Sequence, residues 1–269
     1  MLYDTHCHPN YTKQKDIKQI LKSFKKENKE AFLNAVWTNF ETIKDCIKLA
    51  NENDFIFASI WIHPSDIDLN ADIEKEIEKL EKIYLENKTK IIWIWECWLD
   101  YFHINENKIE KIKQKQKLYF QAQIELAKKY NLPLIIHNRE SKEDIFDILT
   151  KSWYKNFVFH CYTENLEYAQ KLLEYAPNAM ISFSWIVTFW NAKQVQETAK
   201  NIPLKNILVE TDAPRLTPTP FRWKEENEPA YTKYVLEFIS NLRDENFEII
   251  RKQIFENSIN FFKINKKAK

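Results

Sequence analysis

Five short apolar runs, LYDTHCH, IIWIWE, PLIIH, NFVFH and NILVETD, close on residue types that ligate metals. The residues are His6, His8, Glu96, His137, His160 and Asp212. A strand that is apolar along its whole length is buried on both faces, as in a parallel sheet covered by helices. In a (β/α) barrel the C-terminal ends of different strands converge on one mouth, so groups far apart in sequence meet there. Repetition through the chain turns a common pattern into a candidate site.

The segments between the runs have helical periodicity. Strand candidates fall near 2–5, 31–36, 55–61, 91–96, 133–137, 156–160, 179–183 and 206–210. Helical candidates fall at 13–27, 40–52, 72–87, 107–130, 140–151, 165–176, 191–201, 229–241 and 244–261. Eight rounds of strand and helix predict an α/β fold, a (β/α)8 TIM barrel. An open doubly wound sheet is the other arrangement of the same order, but no glycine-rich phosphate loop is present to open one. The length of 269 residues suits one barrel. With no linker or composition break, one domain is expected over 1–262, with a basic tail at 263–269.

Composition narrows the function classes. A net charge of +1 excludes a surface coated in positive charge, though not a local phosphate cleft. No apolar run reaches membrane-spanning length, and Met1 leads directly into the first strand. A cytoplasmic protein with no membrane association and no obligate protein partner is expected. Cys7, Cys97 and Cys161 neighbour proposed ligands. Adjacent strand residues point to opposite faces, so these thiols should turn into the sheet–helix layer. With Cys46 they form no C-x-x-C pair, and no disulfide framework is implied.

The ligand types also make sense individually. His6 and His8 are two apart on one strand, so both face one side. Glu96 and Asp212 end otherwise apolar strands, where an unpaired carboxylate is costly and a cation offsets the cost.

The segments DTHCH, WIHP, WECWLDY, PLIIHNRES, FHCY, SFSWIVTF, VETDAPRLTP and PFRWKEENEPAY, in this order and spacing, resemble the TatD family of metal-dependent deoxyribonucleases. That family belongs to the amidohydrolase-like barrel superfamily, and the resemblance spans about 1–260. It implies one divalent cation held by His6, His8 and Asp212, a second held by His137 and His160, and Glu96 bridging both. No lysine ends the fourth strand to take the bridging place it has elsewhere in the superfamily. The expected activity is phosphodiester hydrolysis of DNA, as an exonuclease. Asp212 would act as general base and Glu96 and His63 would stand beside the reacting groups. His63 contacts the phosphate or leaving oxygen in this scheme; otherwise it is a turn histidine held by its own loop. Arg139 and Arg222 would grip phosphates, or else form ion pairs with neighbouring carboxylates. Asp100 would orient a ligand histidine by a hydrogen bond. The donor set suits Mg, Mn or Zn. The alternatives are another hydrolase of the superfamily, cleaving an amide, ester or aminoacyl bond, and an inactive metal-binding protein.

The chain has no glycine and nine tryptophans, where average usage of roughly 7% predicts about 19 glycines. Trp61, Trp95, Trp98, Trp185 and Trp223 stand where the family motifs have glycine. One reading is a host that decodes UGA as glycine, so that standard translation writes tryptophan at these positions. The other is that the indoles are real and form a stacking platform for bases. Asn is expected to replace Gly at some helix C-termini, as in YNLP and ENDF.

Overall fold

The computed structural model describes residues 1–264 except 13, 14, 27, 29, 37–39, 60–69, 93, 103 and 105–108. Side chains of 40, 41 and 94–98 are also outside the described set. Eight parallel strands alternate with helices: β1 Leu2–Cys7, α1 Ile17–Lys26, β2 Ala31–Ala35, α2 Phe40–Glu52, β3 Ile56–Ala58, α3 Ile73–Glu86, β4 Ile94–Asp100 and α4 Ile109–Tyr130. The second half continues as β5 Leu134–Arg139, α5 Lys142–Ser152, β6 Phe157–Phe159, α6 Leu166–Tyr175, β7 Met180–Phe183, α7 Lys193–Asn201, β8 Ile207–Val209, α8 Thr232–Arg243 and α9 Phe247–Phe261. The fold is a TIM barrel.

Pairing runs in sequence order as β1-β2-β3 and as β4 through β8. An isolated parallel bridge, Ala58 to Ile91, joins the two runs. Expected and observed β4 differ here. Ile91 contributes only that bridge, and the strand itself runs four residues further than expected at its end, through Asp100. Glu96 therefore lies inside β4, paired in register with Ile135.

The other seam, between β8 and β1, closes at the level of the candidate ligands. Asp212 N–H donates to His6 O at 2.8 Å, and His8 N–H to Ala213 O at 2.6 Å. Beneath them the buried Asp4 carboxylate accepts from Thr211 N–H at 2.9 Å and from the Thr211 hydroxyl at 2.5 Å. The first and last strands of the barrel are thus stitched by the two segments that carry His6, His8 and Asp212.

Helix starts follow side-chain capping. Asn165 accepts from Tyr168 N–H at 3.0 Å and Asn246 from Glu248 N–H at 2.9 Å, satisfying donors that a helix start leaves open. On α4 the buried face is Tyr119, Phe120, Gln123, Ile124, Leu126 and Ala127, a helical stripe turned to the sheet. Every residue of β1 is buried, as expected of a strand with barrel on one side and helices on the other. Phe262 and Ile264 are also buried, so barrel packing extends past the expected start of the tail at 263.

Without glycine, eight described residues take left-handed backbone angles: Asn131, Glu140, Trp153, Cys161, Asp212, Trp223, Asp244 and Lys263. Asn131, in YNLP, meets its expectation at φ 52°. Trp153 ends α5 at φ 56°, and Trp223 has φ 68°. Bulky residues enter this region at a cost of roughly 1–2 kcal/mol that glycine does not incur.

Candidate metal centre

The β1 ladder slips between Asp4 and Cys7. A bulge of this kind re-aims side chains at the rim of a barrel. His6 and His8 remain together despite it: their Nε2 atoms face each other at 3.3 Å. These atoms lie 3.7 and 3.3 Å from Asp212 Oδ1. His8 Nδ1 meets Val36 O at 2.8 Å, which fixes the ring's direction. Burial, and then His160, His8 and His137 nearby, hold the His6 pKa well below its usual value, so this ring is neutral. Two imidazoles and a carboxylate turned toward one another in a dry mouth are the donor set of a divalent cation. The residues fit the metal that the motifs imply.

His137 and His160 form the neighbouring pair, with His137 Nδ1 and His160 Nε2 3.0 Å apart. The His160 ring stacks on His6 at 4.1 Å between centroids, which joins the two groups into one cluster. Among the described residues, ligand atoms converge as His6, His8, Asp212 and as His6, His160, Glu210. The side chain of Glu96 lies outside the described residues, as do His63 and Trp61.

Glu210 is the functional residue that motif reading passes over. It is 1% exposed. Its Oε1 lies 3.3 Å from His160 Nδ1 and accepts Cys161 N–H at 2.5 Å. Its Oε2 accepts the Ser182 hydroxyl at 2.6 Å. A carboxylate at Nδ1 favours the tautomer whose Nε2 lone pair turns toward His137. The signal is present in E-T-D, where a second carboxylate stands two residues before Asp212 just after β8. Asp4, in D-T-H-C-H, is also buried, and burial pushes its carboxyl up to about 8 despite three donors to it.

The remaining expectations divide. Asp100 accepts Phe102 N–H at 3.0 Å, and its backbone N–H and C=O both bond to the Gln116 amide, which anchors the end of β4 on α4. Arg139 is exposed over the Phe102 ring at 4.2 Å, and Arg222 sits over Phe189 at 3.5 Å. Neither takes the alternative of an ion pair with a carboxylate among the described residues. Cys7 meets the expected layer, donating to Asn34 O from a buried position. Cys161 does not: it follows β6 in a left-handed turn, and its thiol meets Ser184 Oγ at 3.0 Å. Cys97's side chain is outside the described residues.

A model of the family described as TatD related DNase matches residues 3–263. The chain belongs to the TatD family. It is 38% identical to a protein of Bacillus subtilis named uncharacterized metal-dependent hydrolase YabD, over 98% of this chain and 100% of that one. It is 33% identical to the uncharacterized metal-dependent hydrolase YcfH of Escherichia coli, over 98% of this chain and 96% of the relative. Among solved structures, YjjV, a TatD homologue from Escherichia coli, superposes with a TM-score of 0.86 at 21% identity, covering 98% of both chains. A TatD-family hydrolase from Entamoeba histolytica superposes at 0.77 with 17% identity, over 97% of both chains. The TatD barrel described here is a metal-dependent hydrolase. Among the described residues no helix is long and apolar enough to cross a membrane.

Proposed function

We propose that this TatD-family hydrolase cleaves phosphodiester bonds in DNA, releasing nucleotides as an exodeoxyribonuclease with two divalent cations. The observation that carries the phosphodiester reading is the pair Arg139 and Arg222. Arg139 ends β5, two residues past His137, and Arg222 lies on the connection between β8 and α8; neither guanidinium has a carboxylate partner among the described residues. A planar fork of donors suits phosphate oxygens, whereas a neutral amide offers it no charge.

When bound, two divalent cations supply Lewis acidity that makes water a nucleophile near neutral pH and offsets charge on the phosphoryl oxygens. His6, His8 and Asp212 would hold one, His137 and His160 the other, and Glu96 would bridge. Asp212 accepts the proton of the attacking water. Its backbone is held at φ 55°, with Asp212 N–H donating to His6 O. Such a costly conformation persists where the surrounding structure holds it for function. Glu210 keeps the His160 ring in place; His63, outside the described residues, would contact the scissile phosphate or the leaving oxygen, and Asp100 would orient a ligand histidine. Arg139 and Arg222 bind phosphate oxygens on either side.

Incubation with Mn2+ and either an end-labelled single-stranded DNA or a cyclic amide separates the hydrolase classes. Mononucleotides released from the DNA, with the amide intact, are expected. Amide turnover with uncut DNA would contradict the proposal.

A further inference from the structure

The loops after β6, β7 and β8 enclose a cavity of about 720 Å³ lined by Thr163, Ile186, Phe189, Leu216 and Arg222, among others. Its size falls in the range of roughly 300–1,000 Å³ typical of small-molecule sites. It lies next to the metal centre in the chain's own connections: Thr163 follows ligand His160 by three residues, and Leu216 follows Asp212 by four. Phe189 is buried at its base, and the Arg222 guanidinium carbon stands 3.5 Å over its ring. Arg222 Nε is buried and has no hydrogen-bond acceptor.

The distribution of arginine singles out this group. Of 40 basic residues only five are arginines. Arg243 and Arg251, on α8 and α9, pair with Glu245 and Glu248. Arg139, Arg215 and Arg222, all at the mouth, have no ion-pair partner among the described residues. A half-buried guanidinium without an acceptor is costly, and an anion that fills the cavity relieves that cost. Stacking on Phe189 holds the fork in advance, so little side-chain freedom is lost on binding.

We propose that this cavity is a nucleotide subsite, in which Arg222 binds a backbone phosphate adjacent to the scissile one. The apolar wall of Ile186, Phe189 and Leu216 takes the attached base. The Trp185 indole also lines the cavity, with its centroid 5.1 Å from that of Phe189. The other walls do not depend on it, so the subsite stands with either tryptophan or glycine at 185. The assignment rests on the phosphodiester reading.

The test uses the metal-loaded full chain and a nuclease-resistant phosphorothioate single strand, with affinity measured across a salt series. Arg222→Ala should weaken binding about tenfold and make the log–log salt slope shallower by about 0.7, the value of one single-strand phosphate. Arg222→Lys should recover the slope but not the full affinity, because a point charge lacks the stacked fork. A strand lacking the base at the subsite should bind wild type about tenfold more weakly, as stacking implies. If wild type cleaves no unmodified DNA, the phosphodiester reading fails and takes the subsite with it; wild-type affinity and slope in Arg222→Ala, with cleavage intact, overturn the subsite alone.

Discussion

Asp212→Ala abolishes hydrolysis, with kcat falling by about ten-thousandfold or more, while the barrel stays folded. The variant removes both the proton acceptor and a carboxylate from the His6–His8 cradle, and general-base catalysis alone supplies about 10²–10⁴. The fold survives because the bond that closes β8 on β1 is made by the Asp212 backbone N–H, which alanine keeps. His137→Ala has the same result through the neighbouring pair. Glu210→Gln is milder: the amide oxygen can still accept Cys161 N–H while its NH2 donates to the Ser182 hydroxyl, but the neutral group holds His160 less firmly. It lowers metal affinity by about 10–100-fold, as removal of a group that orients a ligand does. Steady-state kinetics, with circular dichroism as the fold control, read all three. Unchanged turnover in Asp212→Ala or His137→Ala contradicts the assignment.

The second large effect comes from glycine. Trp61, Trp95, Trp98, Trp185 and Trp223 occupy glycine positions of the family motifs, and at 185 and 223 the structure adds physical reasons to read glycine. Trp223 is 81% exposed with φ 68°, and Trp153, a sixth case, is 80% exposed with φ 56° at the end of α5. Trp185 buries its indole N–H with no acceptor. Restoring glycine at 61, 95, 98, 185 and 223 together raises kcat/KM about a hundredfold, since crowding that displaces catalytic groups by about 1 Å carries a penalty of that order. Trp153→Gly and Trp223→Gly each raise stability by about 1 kcal/mol, some 2–4 °C in Tm, although glycine ordinarily destabilises. Peptide mass spectrometry across Lys90–Tyr101 of protein from the source organism should show glycine masses at 93, 95 and 98. Tryptophan masses there, with both single variants destabilised, leave the indoles as native residues of a stacking surface.

The barrel was legible because strand and helix have different apolar periods, and because fully buried strands read as unbroken apolar runs. Boundaries were less so. Ile91 and Ile92 look like part of β4 by composition, yet tertiary pairing uses Ile91 for one bridge and continues the strand to Asp100. That His6, His8, His137, His160 and Asp212 cluster was legible, since each closes an apolar run. Glu210 was not, because a buried carboxylate bonded to Ser182 and His160 looks the same in sequence as one that ligates directly. Arg222 was legible as a charge at the right loop, but its seat on Phe189 depends on how the β7 and β8 loops pack. Cys161 was misread as a strand residue, since nothing in F-H-C-Y marks the left-handed turn that a glycine-free chain makes there.

The most direct measurement is nucleotide release from single-stranded DNA by the glycine form, stripped with a chelator and then titrated with Mn2+. The account predicts no release from the stripped protein and recovery that saturates near two metal equivalents per chain. Release that persists under the chelator, or none with two equivalents bound, would contradict it.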